Sequence, residues 1–430
     1  MNLTITGTGY VGLVTGVCLA EIGHNVTCFD IDEKKIELLK KGISPIHEDG
    51  LEDLMKKNYD EGRIIYTVEQ EVAYKSANII FIGVGTPEND DGSPNLSFVF
   101  SVGEQIAKTV EQDCLIVVKS TVPVGTNSDL EKYMNSRKKH NIKISVASNP
   151  EFLAQGTAVR DTLCASRIII GTNDDNSSKI LEDVYKPFNV PIICTTRESA
   201  EMIKYASNDF LALKISFVND IANLCEIVGA NIDDVTLGMS YDERIGSKFL
   251  KPGIGYGGSC FPKDTKALHW LSEMNGYQLK TVKAAIDVNE RQKTRLIDKA
   301  RHKFPTFKGA NIAILGLTFK PNTDDLREAP SLKNISIMLK EGANIKAYDP
   351  AGVENYKKIY RSEVDYKYNI EETLKGADAC FIFTEWQEIK KIDVNLFKSL
   401  MKTPTIYDGR NCFDKSAMLQ HSIEYYSIGR

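Results

Sequence analysis

The opening stretch leaves the chain little choice of fold. Leu3-Thr-Ile-Thr6 alternates as a strand does. Gly7-Thr-Gly9-Tyr10-Val11-Gly12 follows, then the apolar, helix-like run LVTGVCLAEIG, then a second strand over 25–30 that ends in Asp30. Alone, G-x-G-x-x-G is a weak signal. Between a strand and a helix, with an acid eighteen residues past its last glycine, it predicts a parallel βαβ unit that binds a dinucleotide. The glycines would let a pyrophosphate settle against the helix N-terminus, where amides and helix dipole favour anions. Asp30 would accept from the adenosine ribose and repel a 2′-phosphate, which selects NAD over NADP. Lys35, one turn on, either supports that region or is a solvated helix lysine.

At 430 residues the chain exceeds what one core organises, so two or three domains are expected. A net charge of −5 offers no basic field for nucleic acid, and no apolar run is long enough to span a membrane. The opening MNLTITGTGYVG has neither a basic n-region nor a small-residue cleavage site, which predicts a cytoplasmic protein. The nine cysteines are scattered, without a C-x-x-C pair and mostly in apolar runs. They read as reduced core thiols, not as disulfides or a zinc site. The six histidines form no H-x-x-H or H-E-x-x-H pattern, so no metal is expected.

The parallel pattern continues. Buried strands are predicted over 77–85, running into Thr86-Pro87, and over 114–121, ending in Ser120 and Thr121. A short strand over 144–147 leads into Ser148-Asn-Pro-Glu151-Phe152-Leu153-Ala-Gln155, and another spans 167–171. Open parallel sheets bind ligands at the carboxyl ends of their strands. Thr86, Ser120 and Thr121 therefore face the nicotinamide end, unless they only cap the next helix.

Thr195-x-x-Glu198 resembles a capping box, and no glycine or proline interrupts the helix-period apolar pattern from there to about 228. A long buried helix is expected. Lys204 and Asn208 share one of its faces, which continues through Leu211 and Ile215. An inward lysine is costly unless paired or employed; the other reading is a lysine that snorkels to the surface. Next comes Lys251-Pro-Gly-Ile-Gly-Tyr-Gly257-Gly-Ser-Cys260-Phe-Pro-Lys263-Asp264. Such glycines let a backbone approach a ligand closely. A thiol at the end of this loop, with a carboxylate on the same side of the next helical turn, has the make-up of an activated nucleophile. The plainer reading is a glycine-rich turn around a buried cysteine, and it leaves Lys263 and Asp264 unexplained. From 265 to about 304 the pattern is helical again. Long helices without strands predict a helical middle domain and natural dimerisation surfaces.

A second Rossmann-like pattern starts at 308, with strands over 311–316, 343–349 and 376–384, the second ending in an acid. In place of G-x-G-x-x-G it has Gly316-Leu-Thr-Phe-Lys320-Pro-Asn-Thr-Asp-Asp-Leu-Arg327, and Arg410 ends a further strand. Strand-end lysine and arginine suit a nucleotide or sugar phosphate. Asp324 and Asp325 read as surface charge. The expected architecture is α/β: two Rossmann-like doubly wound parallel-sheet domains, 1–195 and 306–430, joined by a helical central domain, 196–305.

The motifs GTGYVG, KSTVPVGT, SNPEFL, KYASNDFLALKISFVN, GGSCFPKD and FKPNTDDLRE span nearly the whole chain and resemble those of the UDP-glucose 6-dehydrogenase family. The resemblance implies NAD-dependent, two-step oxidation of the C6 alcohol of UDP-glucose to UDP-glucuronate, a product suited to polysaccharide synthesis, by a homodimer or larger homo-oligomer. It implies that Cys260 forms a thiohemiacetal and then a thioester. Lys204 and Asn208 would stabilise the oxyanion at C6, and Asp264 would orient or activate water. Thr121 and Glu151 match positions near the reacting carbon. By the same resemblance Gly7, Gly9, Tyr10, Val11, Gly12, Asp30, Lys35, Thr86, Thr121, Lys263 and Arg327 bind NAD. Glu151, Phe152, Leu153, Lys204, Asn208, Phe249, Gly257, Lys320 and Arg410 would hold the nucleotide sugar. Arg244 matches an arginine that reaches across a subunit interface, and the active site is expected between the domains. One departure is Gln155, which stands where relatives often carry a glutamate; an amide cannot take a proton. GDP-mannose and UDP-N-acetylmannosamine dehydrogenases share the mechanism and stay open as alternatives. A catalytically silent nucleotide-sugar binder would have lost Cys260 or Lys204, and both are present.

Overall fold

Strands of Ile, Val and Phe with little polar between them can be buried on both faces, and the chain stacks them into two sheets. The computed structural model describes residues 1–430 and divides into two units, Met1–Ser207 and Asn208–Arg430.

The first unit carries β1 (Asn2–Thr6), β2 (Asn25–Phe29), β3 (Ile64–Thr67), β4 (Ile79–Ile82), β5 (Cys114–Val118), β6 (Ile144–Ser148), β7 (Ile168–Gly171) and β8 (Ile192–Thr195). Their order is β3-β2-β1-β4-β5-β6-β7-β8. Neighbours run parallel except β6 and β7, which meet antiparallel at Ser148 and Gly171. The order reverses between β1 and β4, the switch point where doubly wound sheets take dinucleotides. Alternate residues feed two cores. Phe81, Leu115 and Val117 pack with Leu13 and Val17, while Ile80, Ile82, Ile116 and Val118 pack with Val99, Ile106 and Leu130. The strands β3 and β8 were not among the sequence expectations.

One helix, Arg197–Val228, runs 32 residues, as the unbroken pattern predicts, and belongs to both units. It starts one residue later than the expected capping box. Thr195 ends β8, where its carbonyl accepts from Thr172 N (3.0 Å), so it is not available as a cap. Thr196 takes the role instead, accepting from Ser199 N at 3.2 Å, and Glu198 turns to Ser128 Oγ (3.0 Å). The first turns of the helix lie tight on the sheet: a Cβ on Gly171 would stand 2.5 Å from Ala200 Cβ. Arg197, 2% exposed, donates twice to Glu131 (2.8 and 2.7 Å). Glu201 accepts from Gly125 N (2.7 Å), Asn127 N (2.9 Å) and Asn127 Nδ2 (2.6 Å). It thereby caps the helix Thr126–Asn135, whose own N-cap residue is a glycine.

The second unit holds the rest of that helix, the helices Ile232–Ser240, Phe261–Met274, Lys280–Gln292 and Arg295–Ala300, and a six-stranded sheet. Its strands are β9 (Asn311–Leu315), β10 (Asn344–Tyr348), β11 (Val364–Tyr366), β12 (Ala379–Ile382), β13 (Thr405–Asp408) and β14 (Glu424–Tyr426). They run parallel throughout in the order β11-β10-β9-β12-β13-β14, the dinucleotide-fold order again. The architecture is thus the expected one of two doubly wound α/β sheets with a helical region between them in sequence. No helix is long and apolar enough to cross a membrane.

The Arg197–Glu131 pair makes a test of the helix anchorage. Removing one partner of a buried pair costs about 3–5 kcal/mol, and the partial exposure of Glu131 brings the expected loss for Arg197→Met to about 2 kcal/mol. Urea unfolding of the variant measures it; an unchanged midpoint would show that the pair anchors nothing.

Candidate active site

The three glycines of the fingerprint have different reasons to be there. Gly7 sits at φ +89°, and a Cβ on it would meet Val84 Cγ1 at 2.9 Å. A Cβ on Gly12 would stand 1.9 Å from Gly7 O, so the helix could not pack on the strand. Gly9 has nothing within 4 Å of its Cβ position and heads the helix Tyr10–Glu21 without any side-chain cap. Open space over a bare helix N-terminus is what a dinucleotide pyrophosphate needs, so these residues fit NAD.

Asp30 follows β2 with 9% exposure. Its Oδ2 accepts from Thr8 N and Thr8 Oγ1 (2.8 Å each) and Lys35 Nζ (2.9 Å), and its Oδ1 from Asp32 N (3.1 Å). Burial pushes the carboxyl up, but Lys35 and the other donors outweigh it and hold Asp30 below the usual range. Lys35 is therefore a paired lysine, not a solvated one. Tyr10 reaches Glu48, which also accepts from Gly156 N (2.8 Å) and Ala158 N (2.7 Å). Val11 lies half-buried beside it. Glu48 was invisible in the sequence, since nothing periodic links it to residues about a hundred positions away.

At the carboxyl ends of β4, β5 and β6 a second group assembles. Thr86 Oγ1 donates to Thr121 O (3.0 Å), and Ser120 Oγ to Val84 O (2.6 Å). Lys204, 3% exposed, donates to Glu151 O (2.7 Å) and Glu151 Oε1 (3.0 Å). It does not snorkel. Glu151 Oε2 accepts from Leu153 N (2.8 Å), which orients the loop. The Phe152 ring has the Arg167 guanidinium 3.8 Å and Lys204 Nζ 5.4 Å from its centroid. Gln155 follows on this loop, its Oε1 buried without a partner. Lys119, missed in the sequence although it breaks an apolar strand end, donates to Asn149 O (3.2 Å) and Asn149 Oδ1 (3.0 Å). Burial pulls its ammonium down to about 8, against the favourable charge of Glu151.

In the second unit Cys260 is the N-cap residue of the 14-residue helix Phe261–Met274. The amides of a helix N-terminus favour thiolate over thiol. Arg327 is coupled to the same loop: desolvation works against its charge, and Asp325, with Cys260, outweighs that and raises it. In the core, by comparison, burial pushes the thiols of Cys18 and Cys114 up to about 12. Asp264, 1% exposed, accepts from Asn208 Nδ2 (2.7 Å) and Lys263 Nζ (2.6 Å). The glycines before the thiol thread it through tight quarters. A Cβ on Gly257 would meet Glu328 O at 2.5 Å, and one on Gly258 the Phe319 ring at 2.7 Å. Asn289 brackets Tyr256 from both sides, its Oδ1 accepting from Tyr256 N (2.8 Å) and its Nδ2 donating to Tyr256 O (3.1 Å).

Phe249 holds a left-handed backbone (φ +63°), costly for a bulky residue, with its ring 6.3 Å from that of Phe261. Lys320 lies 5.6 Å over the Phe319 ring. Arg410 donates to Phe383 O (2.9 Å), Phe319 O (3.0 Å) and Gly255 O (3.4 Å), so it braces three loops at once. Arg244 is paired locally with Asp242 (2.7 Å) and projects into solvent.

Three sequence models of one family cover the chain. They are described as the NAD binding, central and UDP binding domains of the UDP-glucose/GDP-mannose dehydrogenase family and match residues 1–189, 198–291 and 313–415. The chain is 51% identical to UDP-glucose 6-dehydrogenase YwqF of Bacillus subtilis (strain 168), over 100% of its own length and 98% of that relative. Its structure is similar to that of a UDP-glucose dehydrogenase from Pyrobaculum islandicum, at TM-score 0.92 and 33% identity, covering 99% of this chain and 96% of the other. It is also similar to a UDP-D-ManNAc dehydrogenase from Pyrococcus horikoshii, at TM-score 0.88 and 28% identity, covering 100% and 99%.

The glycine geometry makes a paired prediction. Gly9→Ala keeps the melting temperature but weakens NAD binding about tenfold, because its methyl group enters only ligand space. Gly12→Ala lowers the melting temperature, because its methyl group meets backbone. Calorimetric NAD titration with thermal unfolding checks both; equal effects of the two variants on stability would contradict the division.

Proposed function

The chain belongs to the UDP-glucose/GDP-mannose dehydrogenase family, and on that footing we propose that it oxidises the C6 alcohol of UDP-glucose to the carboxylate of UDP-glucuronate in two steps. It is an NAD-dependent dehydrogenase. The observation that carries the reading is Cys260 at a helix N-terminus with Asp264 pinned one turn on. A dehydrogenase that stopped at the aldehyde would need no such thiol.

NAD supplies the hydride acceptor of each oxidation. Cys260 Sγ adds to the C6 aldehyde and gives a thiohemiacetal, which keeps the intermediate attached. Lys204 and Asn208, one helical turn apart, stabilise the oxyanion on C6. The second oxidation leaves a thioester. Water oriented by Asp264 adds to it, the C–S bond breaks, and the water's proton passes to the departing sulfur. With Gln155 unable to act as a base, that work falls to Asp264 and Glu151, while Thr121 lies with Glu151 near the reacting carbon. Phe152, Leu153, Phe249, Gly257, Lys320 and Arg410 hold the nucleotide sugar, and Lys263 and Arg327 act on the NAD side. The working parts are 1–195 for NAD, 196–305 for the thiol and dimer, and 306–430 for the UDP moiety.

The functional form is a homodimer with Arg244 serving the neighbouring subunit. Its support is a stripe on the helix Arg197–Val228, where Phe210, Phe217 and Leu224 recur every seven residues and are 62%, 49% and 52% exposed. The compartment is cytoplasmic; its support is Cys164 and Cys194, exposed thiols that suit a reducing environment.

Two experiments test this. Wild type should form about two NADH per UDP-glucose, and Cys260→Ala should fail to complete the second oxidation. Full two-step turnover by Cys260→Ala would overturn the covalent route; turnover only with GDP-mannose or UDP-N-acetylmannosamine would keep the chemistry and change the substrate. Phe217→Asp should convert the dimer to monomer in light scattering after gel filtration, and a dimer that survives it would move the interface elsewhere.

A further inference from the structure

The buried side of the helix Arg197–Val228 carries an acidic residue whose carboxylate no donor meets. Asp209 is 4% exposed, and neither of its carboxylate oxygens has a hydrogen-bond partner. Its neighbour Asn208 and the charged residues before it are all bonded. From the helix Phe261–Met274 it faces Asp264, whose own charge is met by Asn208 Nδ2 (2.7 Å) and Lys263 Nζ (2.6 Å). From the glycine loop it faces the Tyr256 phenol, and Tyr205 lies one turn back on its own helix. No lysine or arginine is paired with it. A carboxyl group buried without a single donor stays protonated well above the usual carboxylate range. Burial, and then the charge of Asp264, push Asp209 up to about 8.

We propose that Asp209 is a positioning residue that acts through Asp264: while neutral it leaves Asp264 as the one carboxylate held by Asn208 and Lys263, and by ionising at alkaline pH it shuts the reaction down. This rests on the reading of Asp264 as the group that orients water. Once Asp209 ionises, its repulsion works against the bonds that hold Asp264 to Asn208 and Lys263. The groups assigned to the oxyanion and to water are then disturbed together.

The test uses Asp209→Asn and Asp209→Ala in the full chain, the second guarding against a folding defect peculiar to the first. Two readouts are followed with pH. The first is melting temperature. The folded-state value of Asp209 lies above its ordinary one, so its contribution to stability is full below about pH 4 and is lost as the pH rises to about 8. The variants should therefore gain on wild type from pH 5 to pH 8 and gain no more above. The second is kcat/KM with UDP-glucose and NAD, each enzyme normalised to its own value at pH 7. Wild type should fall about tenfold for each pH unit above 8, and the variants should lack that fall. A stability difference that does not change with pH would overturn the inference. So would identical alkaline limbs in wild type and variants, even if stability behaves as expected. If UDP-glucose is not the substrate, the NADH stoichiometry exposes that separately, and the same pH series is read with the nucleotide sugar that turns over.

Discussion

Charge on the buried face of a helix is tolerable only when the charge finds a partner, and the helix Arg197–Val228 depends on this at Arg197, Glu201 and Lys204. Arg197, Glu201, Lys204 and Asn208 are spaced by four, three and four residues, so they share one face. Their partners are the Glu131 carboxylate, the Gly125 and Asn127 donors, Glu151 and Asp264. Apolar residues of similar volume would serve stability as well or better at such positions. The stripe is therefore better understood by what it holds in place. It fixes Lys204 as a buried ammonium on the loop that follows β6, and it fixes Asn208 as a donor to Asp264.

The glycine-cysteine loop points to the same end by a different physical route from the one its composition suggests. Dense glycine in a sequence suggests room for a ligand. In the structure Gly255, Gly257 and Gly258 are pressed by Asn289, the Glu328 carbonyl and the Phe319 ring. Their lack of side chains lets the loop thread between protein elements and deliver Cys260 to the start of a helix. Among the glycines of the fingerprint and of the cysteine loop, Gly9 is the one whose missing Cβ is a matter of open space. A glycine count thus located both sites, but it could not separate packing glycines from ligand glycines.

Much of the fold was legible because it is periodic. The strands β1, β2, β4, β5, β9, β10 and β12 are apolar runs with turn signals at their ends, and the helix Arg197–Val228 is an uninterrupted pattern. The short strands β3, β8, β11 and β14 carry little pattern and were not read. The capping box slipped by one residue because strand pairing had already claimed Thr195. In the site, Cys260, Asp264, Lys204 and Asn208 announced themselves as polar groups in apolar or glycine-rich surroundings. Glu48, Glu201 and Asn149 did not, since each acts on backbone groups or side chains that are distant in sequence. Asp209 was passed over because an aspartate after an asparagine on a helix reads as ordinary surface polarity.

The second sheet shows how a binding geometry can persist after its chemistry has gone. Asp349 follows β10 as Asp30 follows β2, and Thr318 donates to it from N (3.1 Å) and Oγ1 (3.2 Å) as Thr8 does to Asp30. The difference lies in the remaining donor. On Asp30 it is Lys35, a flexible side chain 27% exposed that a ribose hydroxyl can join or displace. On Asp349 the place is taken by Leu317 N (2.6 Å) and by Trp386 Nε1 (3.1 Å), a buried ring, with Ala351 N and Gly352 N filling the other oxygen at 2.9 and 2.7 Å. A carboxylate offers about four lone-pair sites, so Asp349 has none left for a ribose. The acid now ties the ends of β9 and β10 together. On the proposed reading, recognition on that sheet is left to the strand-end cations Lys320 and Arg410, which suit phosphate groups better than the hydroxyls of a second dinucleotide.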